Sequence, residues 1–152
     1  MWRKGRGKLG VFAPIHGNWV ARSVSPQGPV VCHRWIGPIH GGAWVQIEAR
    51  WTIGTGESKS HYRELALIGV AHDSVVRVWS FTSDGHCSQG VIADVTDLHP
   101  EAIGFEAVMP AGRARMAYWP AVQGGFHWAV ESKTQRGWRR ITQHQYHPVP
   151  RP

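Results

Sequence analysis

The sequence predicts an all-β fold, a single antiparallel up-and-down β-barrel of about ten strands. Residues 43–146 form a series of short runs rich in Val, Ile, Trp, Phe and Tyr, which suit a pleated, half-buried surface. Short turns such as Ser83-Asp84-Gly85 separate the runs, and Asx and glycine residues allow such reversals. No sustained helical period exists to cover an open sheet. Closure into a barrel would remove the exposed edges, and a two-sheet sandwich is the second choice.

The length and charge of the chain set its class. A chain of 152 residues is typical of one domain. We expect a basic flexible tail at residues 1–8, a barrel domain at 9–147 and a Pro-rich tail at 148–152. The net charge of +7 favours anionic partners. With only Cys32 and Cys87 and no apolar leader or spanning segment, we expect a cytoplasmic protein that does not partner a membrane, and the redox state of the cysteines stays open.

The strands follow in chain order. The apolar segment 9–15 is expected to be a short helix or a loop that plugs one end of the fold. Prolines at 26 and 29 predict a turn, and Gly37-Pro38 predicts a strand break, because proline is excluded from central strands. The predicted strands run over residues 18–23, 30–36, 43–51, 60–70, 75–82, 86–95, 102–109, 113–120, 126–132 and 138–146.

Within several strands, polar and apolar residues alternate, so each strand offers two different faces. Periodicity leaves open which face lines the barrel interior. A polar interior would gather an ionic network of Gln46, Glu48, Arg50, Arg77 and Glu106. An apolar interior would instead be lined by Trp51, Phe105, Met109, Phe126 and Trp128.

A family resemblance supports the barrel. Gly17-x-Trp19, the run GGAWVQIEARW and the run VVRVWSFTSDGHCSQG resemble the calycins, and in particular lipocalin-like bacterial barrels of unknown function that are similar to nitrobindin-like haem barrels. The resemblance implies that Trp19 closes the base of the barrel. It also implies, by position on the final strand, that His144 is the candidate iron ligand if haem binds.

Candidate site residues follow from this fold. The nine tryptophans offer flat, rigid contact area for an aromatic ligand, and Arg50 or Arg140 is expected to hold a carboxylate of that ligand. Candidates for acid–base catalysis are Glu48, Tyr62, Glu64 and His127. The ligand-binding candidates are Trp44, Gln46, Glu48, Arg50, Trp51, Trp79, Phe105, Met109, Trp128, Arg140 and His144.

We therefore expect the protein to bind a small hydrophobic or aromatic ligand inside a β-barrel cavity. Whether that ligand also carries an anionic group is left open. The alternatives are a small cavity enzyme of the cyclase, lyase or isomerase type, and haem binding. No cofactor is predicted apart from that haem alternative, and no metal-ligand spacing is present. Nucleic acid binding ranks below these because the basic charge is scattered, and a homodimer is left open.

Overall fold

The computed structural model describes residues 1–150 and shows a closed barrel of ten antiparallel strands in up-and-down order. Each strand pairs with its neighbours in sequence, and the last pairs with the first. This confirms the predicted fold class. The strands are β1 Gly17–Ser25, β2 Gly28–Ile39, β3 Trp44–Ile53, β4 Ser60–Val70, β5 Val76–Thr82, β6 Cys87–Ala93, β7 Ile103–Met109, β8 Gly112–Pro120, β9 Phe126–Thr134 and β10 Gly137–Pro148. Short 3₁₀-helices occupy Lys8–Ile15, His40–Gly42 and Gly56–Ser58.

The pairing of β1 with β10 closes the barrel, and it covers fewer residue pairs than the pairing of any other two neighbouring strands. Trp19 pairs with Pro148 and Val20 with His147, and the Val149 N–H donates to the Asn18 carbonyl at 2.9 Å. By contrast β1 and β2 pair along the whole length of β1. The strands β1 and β10 are therefore held together mainly near the start of β1.

The expected strand break at Gly37-Pro38 is wrong, because β2 continues to Ile39. Pro38 pairs with Val45 of β3 on one side. On the other side β1 has not yet begun, since its first residue, Gly17, pairs with Ile36. A proline without an N–H is tolerated where no neighbouring strand needs that donor.

The apolar face of the strands lies inside the barrel. On β3, Val45, Ile47 and Ala49 are buried while Glu48 and Arg50 are exposed. Alternating burial is also clear on β2, and the main hydrophobic core is the barrel interior. Of the two arrangements that the alternation left open, the structure has the apolar interior.

The N-terminal 3₁₀-helix closes one end of this interior. Phe12 and Ile15 are fully buried, and the Phe12 ring stacks on Phe105 at 5.6 Å. Trp19 donates its Nε1–H to the Ile15 carbonyl at 2.8 Å and packs edge-on against Phe126 at 4.8 Å. The helix and Trp19 thus form the base of the barrel.

A second, smaller core lies outside the barrel, where residues 94–102 cross the outer face of β8 and β9. Val95 is buried there. Beside it Arg115 forms ion pairs with Asp97 and Glu131, each at 2.7 Å. These ion pairs attach the β6–β7 connection, through Asp97, to the outer face of β8 and β9. Over residues 1–150, no helix has the length and apolar character needed to span a membrane.

Candidate functional site

A pocket of about 910 Å³ enters the barrel from the end opposite the N-terminal helix. Its mouth is bordered by the β1–β2 turn at Pro26, the β5–β6 turn at Asp84 and His86, and the end of β7 at Met109. These hairpin turns all lie at one end because the strands run up and down. The pocket is thus a blind cleft with one open end, the kind of concave site that small ligands use.

Apolar and aromatic side chains form most of the pocket wall. Ile47, Val78 and Phe105, which are all buried, are among them. The indole rings of Trp51 and Trp128 lie 5.7 Å apart and tilted by 44°. Flat rings at this spacing offer contact area to a planar ligand beside them.

Arg34 on β2 is a charged residue inside the barrel; it is only 2% exposed and borders the pocket. Its Nη1 donates to the Tyr118 hydroxyl at 3.1 Å. Its guanidinium carbon lies 4.7 Å from the centre of the Trp128 ring and 5.1 Å from that of Tyr146. Three aromatic residues therefore surround the cation.

Arg34 has no carboxylate partner within the described chain, since none of the ion pairs among residues 1–150 includes it. Its Nε is buried without a hydrogen-bond partner, as are Trp128 Nε1 and Tyr146 Oη. Buried polar atoms are normally satisfied, and each unsatisfied one costs free energy. Arg34 and Trp128, which border the pocket, therefore each keep an N–H donor that no acceptor of the described chain meets.

The buried environment also sets the protonation states of Arg34 and of the two tyrosines beside it. Burial raises the pKa of Tyr118 to about 12, although the neighbouring Arg34 acts to lower it. Burial raises the pKa of Tyr146 as well, again against the effect of Arg34. Burial acts to lower the pKa of Arg34, but Tyr146, Tyr118 and Glu64 act to raise it, and the net direction is upward. The site thus holds a cation beside two neutral phenols at neutral pH.

Glu64 on β4 is a second ionisable group in the pocket wall. It accepts a hydrogen bond from the Ser80 hydroxyl at 2.8 Å. The register aligns Arg34 with Ala49 and Ala49 with Glu64. Arg34 and Glu64 therefore lie in one row across the interior, with a single small side chain between them.

His144 on β10 also lines the pocket. Its ring lies 4.9 Å from Trp51, its Nδ1 lies 3.5 Å from Ser23 Oγ, and its Nε2 lies 3.0 Å from Thr142 Oγ1. Burial and the nearby Arg34 lower the pKa of His144. Each ring nitrogen of His144 therefore has a hydroxyl neighbour in this arrangement.

The structure gathers part of the predicted set in the pocket. The candidates that border it are Tyr62, Glu64, Trp51, Phe105, Met109, Trp128 and His144. Tyr62 and Met109 are more than a third exposed, at 37% and 38%, and belong to its outer part. The remaining five of these line its walls.

Another part of the predicted set lies on the outer face of the barrel, because it occupies the opposite positions of the strand alternation. Gln46 donates to Glu48 there at 2.8 Å. The Trp44 and Trp79 rings meet edge-on at 5.7 Å. Arg50, which was expected to hold a ligand carboxylate, faces outward from the same strand, and Arg34 of β2 occupies the interior instead.

Arg140 and His127 are also outside. Simple alternation along β10 would put Arg140 on the same face as His144, but a β-bulge between Arg140 and Thr142 shifts the register. A bulge adds one unpaired residue and so reverses the facing of everything before it. Arg140 consequently pairs with Glu131 on the outer side at 2.9 Å. Burial, then Arg140 and His99, lower the pKa of His127.

Sequence reasoning missed Arg34, Ser80, Tyr118 and Tyr146. A signal for Arg34 was present, because it sits in a period-two row with Val30, Cys32 and Ile36, and a charge within an apolar face is unusual. No comparable sequence signal distinguishes the two tyrosines and the serine. Their importance comes from their distance to Arg34 and Glu64.

The sequence matches no protein-family model and no curated protein. A closed ten-stranded antiparallel barrel is consistent with the calycin resemblance but does not by itself show that family. Among residues 1–150 no cluster of three or more His, Cys, Asp or Glu side chains has the geometry of a metal site. The pocket must accordingly be interpreted from its own chemistry.

Proposed function

We propose that this protein binds, inside the barrel pocket, a small ligand with an aromatic or hydrophobic body and an anionic group, and that Arg34 holds the anion. The observation that supports it is the buried guanidinium without a carboxylate partner at the border of the pocket. A ligand carboxylate or similar anion would supply the missing counter-charge.

The energetics favour this role. A buried charge is costly unless it is paired and hydrogen-bonded. The aromatic faces of Trp128 and Tyr146 offset part of that cost, and the Tyr118 hydroxyl occupies one of the five donors of the guanidinium. The remaining Nη donors suit the planar, two-oxygen geometry of a carboxylate.

The wall of the pocket supports the aromatic part of the ligand. Trp51 and Trp128 provide tilted indole faces, and Phe105 and Val78 extend the apolar surface inward. Burial of ligand surface against such side chains is favourable at roughly 25 cal/mol per Å². The anion and the apolar body would thus be recognised by neighbouring parts of one pocket.

The test is calorimetric titration with indole-3-propionate, an aromatic carboxylate, against three proteins. Arg34→Gln should weaken binding about tenfold or more, since hydrogen bonds to charged groups contribute about 1.5–3 kcal/mol. Arg50→Gln, on the outer face of the adjacent strand, is the matched control and should bind like the unmodified protein. Equal affinity in the Arg34 and Arg50 variants, with both folded by circular dichroism, would exclude Arg34 as the anchor.

The two alternative functions, a cavity enzyme and a haem-binding protein, can be tested on the same purified protein. A cavity enzyme would convert a bound ligand with time and pH, using Glu64 in the pocket wall as the available carboxylate. Recovery of unchanged ligand after denaturation would argue against turnover. Haem binding would require a Soret band in the visible spectrum and its loss on substitution of His144.

A further inference from the structure

The pocket contains two opposite charges that do not satisfy each other. Arg34 and Glu64 lie in one interior row with Ala49 between them. Adjacent strands are about 4.8 Å apart, so the two backbones are about 10 Å apart. No ion pair within 4.0 Å joins the two side chains. Both side chains line the same pocket.

Glu64 is held in place but only partly satisfied. The Ser80 hydroxyl, on the next strand, donates to its Oε2 at 2.8 Å. Its other oxygen, Oε1, takes part in none of the side-chain hydrogen bonds formed within residues 1–150. A carboxylate offers about four acceptor positions. The pocket therefore presents a fixed acceptor that is ready for a donor from a ligand.

The charge balance disfavours a ligand that is only anionic. Such a ligand would meet Arg34 favourably but would bring its negative charge towards Glu64, and like charges in a partly desolvated pocket repel. A ligand with both an anion and an ammonium or similar cationic donor would satisfy both groups. The pair of protein charges would then be matched by a pair of ligand charges.

We propose that the ligand is an aromatic zwitterion, of the aromatic amino acid class, whose anion meets Arg34 and whose ammonium group donates to Glu64. This inference rests on the proposed function and deepens it, because it assigns the second polar contact of the same pocket. Trp51 and Trp128 contact the aromatic body.

The experiment compares three probes that share one indole body: L-tryptophan, which has both charges, indole-3-propionate, which lacks the ammonium group, and tryptamine, which lacks the carboxylate. Calorimetric titration of the unmodified protein should rank L-tryptophan about tenfold tighter than either of the others. Glu64→Gln, which keeps the shape and the Ser80 contact, should remove the advantage over indole-3-propionate. Glu48→Gln, a carboxylate on the outer face, is the matched control and should change nothing.

The outcomes separate this inference from the proposed function. If indole-3-propionate binds as tightly as L-tryptophan, and Glu64→Gln affects both alike, the zwitterion inference is overturned while Arg34 as the anion anchor stands. If none of the three probes binds at millimolar concentration, the proposed function fails and the inference falls with it. A loss of L-tryptophan binding in Ser80→Ala as well as in Glu64→Gln would add support, since Ser80 orients the carboxylate.

Discussion

Replacement of Trp19 tests how the barrel is closed. The indole fills the base between the N-terminal 3₁₀-helix and β9, with its ring edge-on to Phe126 at 4.8 Å and its Nε1–H bonded to the Ile15 carbonyl at 2.8 Å. Trp19→Ala would leave a cavity beside fully buried Phe126 and an unpaired carbonyl.

The magnitude follows from this geometry. Large-to-small substitutions of buried Trp or Phe cost about 3–5 kcal/mol. Because Trp19 is only half-buried, we expect the low end, about 3 kcal/mol of unfolding free energy. For a chain of this size that lowers the melting temperature by about 6–12 °C. Trp19→Phe keeps the ring but loses the N–H donor, so about 1 kcal/mol is expected.

The assay is urea unfolding followed by far-ultraviolet circular dichroism, which does not depend on the fluorescence of the residue removed. A lower midpoint with an unchanged slope reports stability alone. Trp35→Ala, on the outer face of β2, serves as the comparison and should cost less. A loss below about 1 kcal/mol for Trp19→Ala would mean that the indole does not close the base, and the Gly17-x-Trp19 interpretation would be abandoned.

Two further predictions concern a buried phenol and a turn. In the folded protein the pKa of Tyr118 is about 12, whereas an unfolded tyrosine releases its proton near about pH 10. The contribution of the protonated phenol to the unfolding free energy should therefore be fully present below about pH 10 and be lost as the pH rises towards 12. Tyr118→Phe should flatten that decline in pH-resolved urea unfolding, and an unchanged decline would contradict the assignment. Gly85 has a φ of 86°, so Gly85→Val should destabilise by about 1–3 kcal/mol, whereas wild-type stability in the same assay would show that the turn tolerates a side chain.

Most of the architecture can be predicted from local sequence patterns. The strands are short period-two runs between turn residues, and β4 spans Ser60–Val70 as predicted. The missed part of β2, through Pro38, depends on β1 beginning only at Gly17. That is a relation between two strands, and no single segment of the sequence shows it.

The candidate site is predictable only in part. Trp51, Phe105 and Trp128 were foreseen as one apolar set, and they do line one pocket. Arg50 and Arg140 were expected to hold the anion, but both face outward. For Arg140 the cause is the bulge before Thr142, which has no signature in the sequence.

The sequence by itself predicted about ten strands, their approximate positions and their up-and-down order, because alternation and turn chemistry act over a few residues. Only the tertiary structure decided which face is inside, because a strand has two faces and burial is settled by all ten strands together. It alone placed Arg34 and Glu64 in one row, since their alignment passes through Ala49 on the strand between them. Register across three strands is a long-range property, and the chemistry of the pocket depends on it.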